Sequence, residues 1–295
     1  MVERRIRYSQ LSKFKRCRRS WLMEYVRGLE LARDPEQTKG ARDIGSIVHA
    51  LIEAYYNGED WRVALEALRI NQAQRGWSTD WADVFEMARI MMEGYVEWLS
   101  TEGADANESV VMVEPQLEAE IGVIRGDRII LTGKPDRVAY DELAETFIVE
   151  DTKTTNQIES VLIHGGQGLT YSMLLKMQHG IDVGLFRTNQ LRKVKRTSRA
   201  NPPFYGRAEM TVNPTMLRNH FHHVVGTLDT MVDLMQHWEK EEMSDPEAHH
   251  RLFYPNPTKE CSWDCDFLAV CKTMDDGSNF EHAIRNYYRP KEVTA

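Results

Sequence analysis

No stretch of the 295 residues stays apolar for the length of a membrane-spanning helix, and the opening MVERRIRYSQ lacks the apolar run of a secretory leader. Both absences point to a cytoplasmic protein with no membrane partner. Cysteine is scarce, with four in all. In a reducing compartment so few thiols argue against a disulfide framework. Basic charge is not in excess either: 37 Lys and Arg stand against 45 Asp and Glu, a net charge of −8. That balance argues against general nucleic-acid coating but leaves room for a local basic track. A G-x-x-x-x-G-K-[ST] phosphate loop is missing, so any unwinding of a duplex falls to a partner. What remains is 42% hydrophobic and 28% charged, enough core for one large domain with helical insertions.

The chain is organised around residues 131–155, LTGKPDRVAYDELAETFIVEDTKTT. Gly133 and Pro135 break the backbone before Asp136, Val138 and Tyr140 alternate, and Asp141 and Glu142 form a polar turn. Phe147, Ile148 and Val149 then run apolar into Glu150, Asp151, Thr152 and Lys153, the pattern of a tight hairpin. Strand side chains alternate faces, so Asp151 and Lys153 project together. With Asp136 at the bend of the neighbouring strand, two carboxylates and an ammonium converge. Such oxygen ligands hold Mg²⁺ or Mn²⁺, and the lysine meets an anionic substrate or orients a water. A solvated hairpin end is the competing description; the apolar run ahead of the charges favours a buried strand feeding a polar site.

Upstream, Tyr8 onwards opens as a helix with Ser9 as its N-cap. Lys13, Lys15, Arg16, Arg18 and Arg19 crowd around Cys17, either as a phosphate-binding surface or as a solvated helix face. A second helix carries His49 one turn after Gly45, where glycine permits close approach of another backbone. Residues 55–105 read as a helical insertion packed through its aromatics. Short alternating runs over 109–140 start a sheet, with Glu114 and Glu120 either adding a carboxylate to the site or, the favoured reading, standing as exposed strand residues. A helix from Gly166 puts Gln167 and Tyr171 on one face. After a strand over 182–190 come Arg192, Lys193, Lys195, Arg196 and Arg199 in a hairpin loop, a strand-contacting element or a solvated turn. Phe204 and Tyr205 follow as a surface for base stacking. Residues 210–212 close the sheet, and 214–242 form a long helix on which His220, His222 and His223 read as face residues. The tail from Lys272 reads as partly disordered.

The hairpin resembles the PD-(D/E)xK nuclease superfamily in its RecB-like form. Pro135-Asp136 stands as the first half and Asp151-Thr152-Lys153 as the second, within G-x-x-D-R-V and D-x-K-T-T. The order of G-x-x-x-His49, Asp136, Asp151-x-Lys153 and Gln167-x-x-x-Tyr171 is similar to that family across nearly the whole chain. The resemblance implies an α/β, restriction-endonuclease-like mixed sheet flanked by helices. It implies metal ligation by His49, Asp136, Asp151 and the Thr152 carbonyl, with Lys153 at the attacking water and Gln167 and Tyr171 on the substrate strand.

The cysteines are uneven: Cys17 alone near the start, then Cys261, Cys265 and Cys271. The last three can reach one centre, and Cys17 can complete a tetrathiolate set for a [4Fe–4S] cluster or a structural zinc. The one-plus-three spacing resembles the iron–sulfur clasp of RecB-like exonucleases, including the CRISPR-associated family and the AddB nuclease domain. On that likeness the chain is one nuclease domain, 1–295. Residues 1–34 and 255–275 form the clasp and 109–212 the core sheet and helix. The implied function is a metal-dependent DNA nuclease acting on single strands or ends in recombination, repair, CRISPR or phage DNA metabolism. Its basic residues Arg16, Arg18, Arg19, Arg192, Lys193, Lys195 and Arg196 would contact DNA, and a helicase or CRISPR adaptation protein would be its partner. A non-catalytic iron–sulfur subunit of a larger DNA-processing complex is the alternative.

Overall fold

The computed structural model describes residues 1–34, 36–38, 40–160, 165–240 and 250–291. In chain order the elements are β1 (Glu3–Arg7), α1 (Tyr8–Arg16), α2 (Arg18–Trp21), β2 (Leu29–Leu31), α3 (Ala41–Tyr56), α4 (Trp61–Arg75), α5 (Thr79–Glu102), β3 (Glu108–Val113), β4 (Leu117–Ile124) and β5 (Asp127–Gly133). There follow β6 (Arg137–Asp141), β7 (Thr146–Thr155), α6 (Gly166–His179), β8 (Val183–Arg192), β9 (Tyr205–Thr211) and α7 (Pro214–Glu239). Three short helices, α8 (Cys261–Asp264), α9 (Leu268–Thr273) and α10 (Phe280–Tyr287), lead into β10 (Tyr288–Pro290). Contacts divide the chain into two compact units: Met1–Arg33 with Glu120–Leu131 and Phe221–Ala295, and Asp34–Ala119 with Thr132–His220.

The second unit is built on a mixed five-stranded sheet of order β3-β6-β7-β8-β9. β7 and β8 run parallel and the other pairs antiparallel. A parallel pair needs a crossover, and α6 supplies it. The β6–β7 turn is closed by Asp141, whose Oδ1 accepts the amides of Leu143 and Ala144, both at 2.9 Å. One face of the sheet is covered by α6. Gly168 is needed there, since a Cβ on it would fall 2.1 Å from the Phe186 ring. The other face packs on α3 and α5, where Val48, Leu51, Trp81, Phe85, Met92 and Tyr95 form one apolar cluster with Leu191 and Tyr205. Trp61, Trp81, Phe85 and Tyr95 of the insertion are core, as their helical spacing suggests, whereas Trp98 is half-buried and Trp77 is exposed.

In the first unit, β1, β5 and β4 form a separate three-stranded sheet. The sheet expected to run from 109 to 212 therefore splits, because β4 and β5 pair with the N-terminal strand. Arg125 and Gly126, at φ 50° and 87°, make the left-handed two-residue turn between β4 and β5 that suits a twisted hairpin. Helix α1 starts two residues earlier than a Ser9 cap would set it, with Arg7 in the cap position; Ser9 Oγ accepts from the Tyr25 hydroxyl, 3.2 Å, rather than capping. Cys17 is extended (φ −162°, ψ 113°) and divides α1 from α2. The described part of the tail, to Lys291, carries regular structure where partial disorder was expected: Asn279 caps α10 by accepting the His282 amide, and β10 pairs antiparallel with β2. Phe267, Val270, Met274, Ile284 and Tyr288 bury an apolar cluster with Met23 and Leu29. Residues 241–242 of the expected long helix lie outside the described residues.

Candidate active site

The bend before β6, strand β7 and the helices α3 and α6 meet around Asp136. Asp136 Oδ2 accepts the Thr152 amide at 2.5 Å, and its Oδ1 lies 3.2 Å from His49 Nδ1. Thr152 is buried, and its main chain is what aims Asp136. Gly45 does the work its spacing suggested: a Cβ there would sit 3.1 Å from Thr154 Oγ1, so its absence lets α3 bring His49 against the end of β7. On β7, Lys153 Nζ is 2.5 Å from Asp151 Oδ2. Gln167, in the first turn of α6, donates to Asp151 Oδ1 and to the Tyr171 hydroxyl, both at 2.8 Å. Tyr171 itself is buried over Gly133, where a Cβ would approach its ring to 2.9 Å.

One member of the cluster stands apart from the expected set. Glu114, read from its sequence as an exposed strand residue, brings a carboxylate oxygen to within 4.8 Å of ligand atoms of His49 and Asp136. It sits at φ 49°, an uncommon backbone conformation for a residue other than glycine. Its amide donates to the Asp136 carbonyl at 2.9 Å, and its carboxylate pairs with Lys134. The available signal was Pro115, which ends β3 at a bend and turns Glu114 inward. Among the described residues, His49, Glu114 and Asp136 are the one such grouping of metal-ligating side chains.

The electrostatics call for a cation. Burial pushes the Asp151 carboxyl above the usual carboxylate range, with the Asp136 charge adding to it and Lys153 opposing. Burial alone would lower the His49 pKa, but the hydrogen bond and charge of Asp136 outweigh it and raise it. Two carboxylates and an imidazole at this spacing are a donor set of the kind that divalent cations take.

The expected DNA-contacting residues separate into two kinds. Arg19 is only 2% exposed; it forks onto Asp275 at 2.7 and 2.8 Å and donates to the Cys271 carbonyl at 3.2 Å. That burial removes it from the DNA-contact set. Arg16 pairs with Asp264, and Arg18 lies 5.0 Å from the Tyr254 ring centroid. Arg192 donates to the carbonyls of Asn156 and Asn201, and Arg196 pairs with Glu97 at 2.7 Å. His220 is another correction: it is buried, and its Nε2 lies 2.8 Å from the Thr170 hydroxyl. The four cysteines line one cavity of about 240 Å³ together with Arg19 and Phe267. No three of their thiols come within 4.8 Å of one another.

The model of the PD-(D/E)XK nuclease superfamily matches residues 5–272. This chain belongs to that superfamily. It is thus a nuclease by family, with a mixed α/β fold of the restriction-endonuclease-like kind. No curated protein matches it. Among solved structures it is similar to SSO0001, at 15% identity over 77% of this chain and 83% of that one, with a TM-score of 0.34. A candidate exonuclease from Eubacterium rectale matches at 13% identity, 90% and 86% coverage and a TM-score of 0.42. An alkaline exonuclease from Laribacter hongkongensis matches at 10% identity, 53% and 72% coverage and a TM-score of 0.31. The family assignment rests on the family model and on the site, not on these distant likenesses.

Proposed function

We propose that the chain is a Mg²⁺- or Mn²⁺-dependent deoxyribonuclease, an exonuclease acting on single-stranded DNA or DNA ends in the cytoplasm. The observation that carries this is the convergence of His49, Glu114 and Asp136 beside the Asp151–Lys153 pair. A bound divalent cation supplies Lewis acidity and an activated water. His49, Glu114 and Asp136 would hold such a cation, with Asp151 as the adjacent carboxylate. The Thr152 amide keeps Asp136 pointed inward, and Gln167 does the same for Asp151. The Thr152 carbonyl remains in the proposed ligand set. Lys153 would offer its ammonium to the scissile phosphate as the water oxygen bonds to phosphorus and gives up a proton to solvent, while the bridging P–O bond breaks and the leaving oxygen takes a proton from solvent. Tyr171, being buried, serves the strand through Gln167.

The thiol cavity supports a [4Fe–4S] clasp. A tetrahedral zinc with Zn–S of about 2.3 Å would need thiols about 3.8 Å apart. These thiols are spread more widely around a cavity. A tetrathiolate cluster is a net anion, and Arg19 would stand beside it: Arg19 lines the cavity and donates to Cys271 Sγ at 3.6 Å. A helicase or CRISPR adaptation protein would supply unwound DNA.

The test is cleavage of end-labelled single- and double-stranded DNA by the purified chain in Mg²⁺, Mn²⁺ or EDTA, with iron, sulfide and visible absorbance measured on anaerobic protein. Stepwise loss of nucleotides from an end with metal, and none in EDTA, is the expected result. Absence of cleavage with every divalent ion would overturn the catalytic reading. Zinc without visible absorbance would overturn the cluster.

A further inference from the structure

The β8–β9 hairpin and helix α5 enclose a second cleft, of about 300 Å³, with Trp98, Pro203 and Phe204 as its apolar lining and Glu97, Glu102 and Arg196 among its polar residues. That volume is at the lower end of small-molecule sites, which span about 300–1,000 Å³. The hairpin is seated firmly on α5. A Cβ at Gly94 would fall 2.2 Å from Tyr205 Oη and 2.7 Å from Arg196 Cζ, and the Tyr205 hydroxyl donates to the Met91 carbonyl at 3.0 Å. Tyr205 is therefore a buried anchor; Trp98 already stacks with Tyr95, 5.9 Å between centroids, and has the Arg207 guanidinium 5.5 Å from its ring, so it backs the cleft and Phe204 is the aromatic wall left to take a ligand.

The cleft also has an address. β7 and β8 are parallel, with Lys153 opposite Gln190 and Thr155 opposite Arg192. The Lys193 amide donates to the Thr155 carbonyl at 2.8 Å. The hairpin thus leaves the sheet where the strand bearing Asp151 and Lys153 ends. Along it, Lys193 and Arg199 take no ion pair among the described residues, whereas Arg196 is engaged with Glu97. The charges are sorted: Lys193 and Arg199 lie on the loop, while at the cleft Arg196 is neutralised by Glu97 and Glu102 remains as the carboxylate outside that pair. A phosphate suits the first and is repelled by the second. A nucleobase suits the second, because its ring stacks on Phe204 and its N–H groups donate to a carboxylate.

We infer that this cleft is a base-binding subsite for single-stranded DNA, taking one unstacked base onto Phe204 while neighbouring phosphates lie over Lys193 and Arg199. The inference rests on the nuclease reading and names its substrate as a strand with unpaired bases. A paired base has its donors occupied and its faces stacked, so a duplex cannot fill the cleft.

The test measures binding of a labelled single-stranded oligodeoxynucleotide to the full chain in EDTA, with an abasic residue moved one position at a time. Beside it runs hydrolysis of bis(p-nitrophenyl) phosphate, a diester without bases, in Mn²⁺. One abasic position is expected to weaken binding roughly 5- to 150-fold, the range for one stacked base. Phe204→Ala should reproduce that loss, and the abasic position should then add nothing to it. A flat abasic scan on the wild-type chain would overturn the subsite, and that scan needs no variant to fold. A wild-type chain that leaves the base-free diester intact while the scan still dips would sink the catalytic reading and keep the subsite.

Discussion

Strand β7 carries two buried acids side by side, Glu150 and Asp151, and they live in opposite worlds. Glu150, 1% exposed, faces arginines across the sheet. Arg137 donates to it at 3.0 Å and Arg187 at 3.4 Å, and both also reach Glu108, at 2.7 and 2.6 Å. In register the row reads Arg137, Glu150, Arg187, Glu209, alternating in sign over four strands. Burial would lower the Arg137 pKa, yet Glu150, Tyr56 and Asp105 hold it well above its ordinary value. Asp151, on the other face, has Asp136 for a neighbour and one ammonium, from Lys153, at 2.5 Å. Burial and like charge push its pKa up. The lesson is that burying a carboxylate does not mark a functional site; leaving it short of positive charge does.

The sharpest way to break this comparison is to neutralise each acid in turn. Glu150→Gln should strip the arginines of a central counter-charge and cost about 3–5 kcal/mol of folding stability, as loss of one partner in a buried network does. A urea midpoint measures it, and DNA cleavage by the remaining folded protein should stay within a few-fold of wild type. Asp151→Asn should behave oppositely. Cleavage should fall about 10²–10³-fold, the scale for removing a group that meets transition-state charge. The melting temperature of the metal-free protein should hold or rise, because an ionised Asp151 in a site that raises its pKa works against folding. If Asp151→Asn unfolds the protein as Glu150→Gln does, the two faces are not different in kind.

A divalent cation sharpens the contrast further. Ligand bound only by the folded state at about 100 times its Kd adds about 2.7 kcal/mol. Mn²⁺ should therefore raise the melting temperature of the wild type and of Glu150→Gln alike. It should do much less for Asp136→Asn, which removes a charge from the ligand set. Equal shifts in all three would place the ion elsewhere.

The two faces were also unequally legible. Asp151 and Lys153 could be paired from strand alternation, Gln167 and Tyr171 from helical spacing, and Gly45 with His49 from one turn of helix; each relation is local. The arginines bonded to Glu150 lie 13 residues before it and 37 after it. Nothing near Arg187 states that it will oppose Glu150 until β7 and β8 are known to be parallel. The same holds for β4 and β5, whose alternation marks strands but not their pairing with β1. Arg19 looked like one more basic residue beside Cys17; only the fold brings Asp275 to it. Helix α10 did carry a local signal, the Asn279 cap, but two turns bury nothing without β2 and the cluster beneath.

The smallest predicted effect separates two roles for Gln167. Its amide donates to Asp151 and to Tyr171, both on the protein, and so it reads as a positioning residue. Gln167→Ala should remove hydrogen bonds worth about 0.5–1.5 kcal/mol each, slowing cleavage up to about tenfold per bond. If Gln167 acts by aiming Asp151, the loss should fall on kcat with KM unchanged. A group that held the DNA in ground and transition state alike would instead raise KM and spare kcat. The buried Tyr171 gives a control, since Tyr171→Phe keeps the ring over Gly133 but frees one amide contact. It should lower kcat less than Gln167→Ala does, because the bond to Asp151 survives. A Tyr171→Phe chain as slow as Gln167→Ala would mean that the phenol, rather than the carboxylate, is the partner through which Gln167 works.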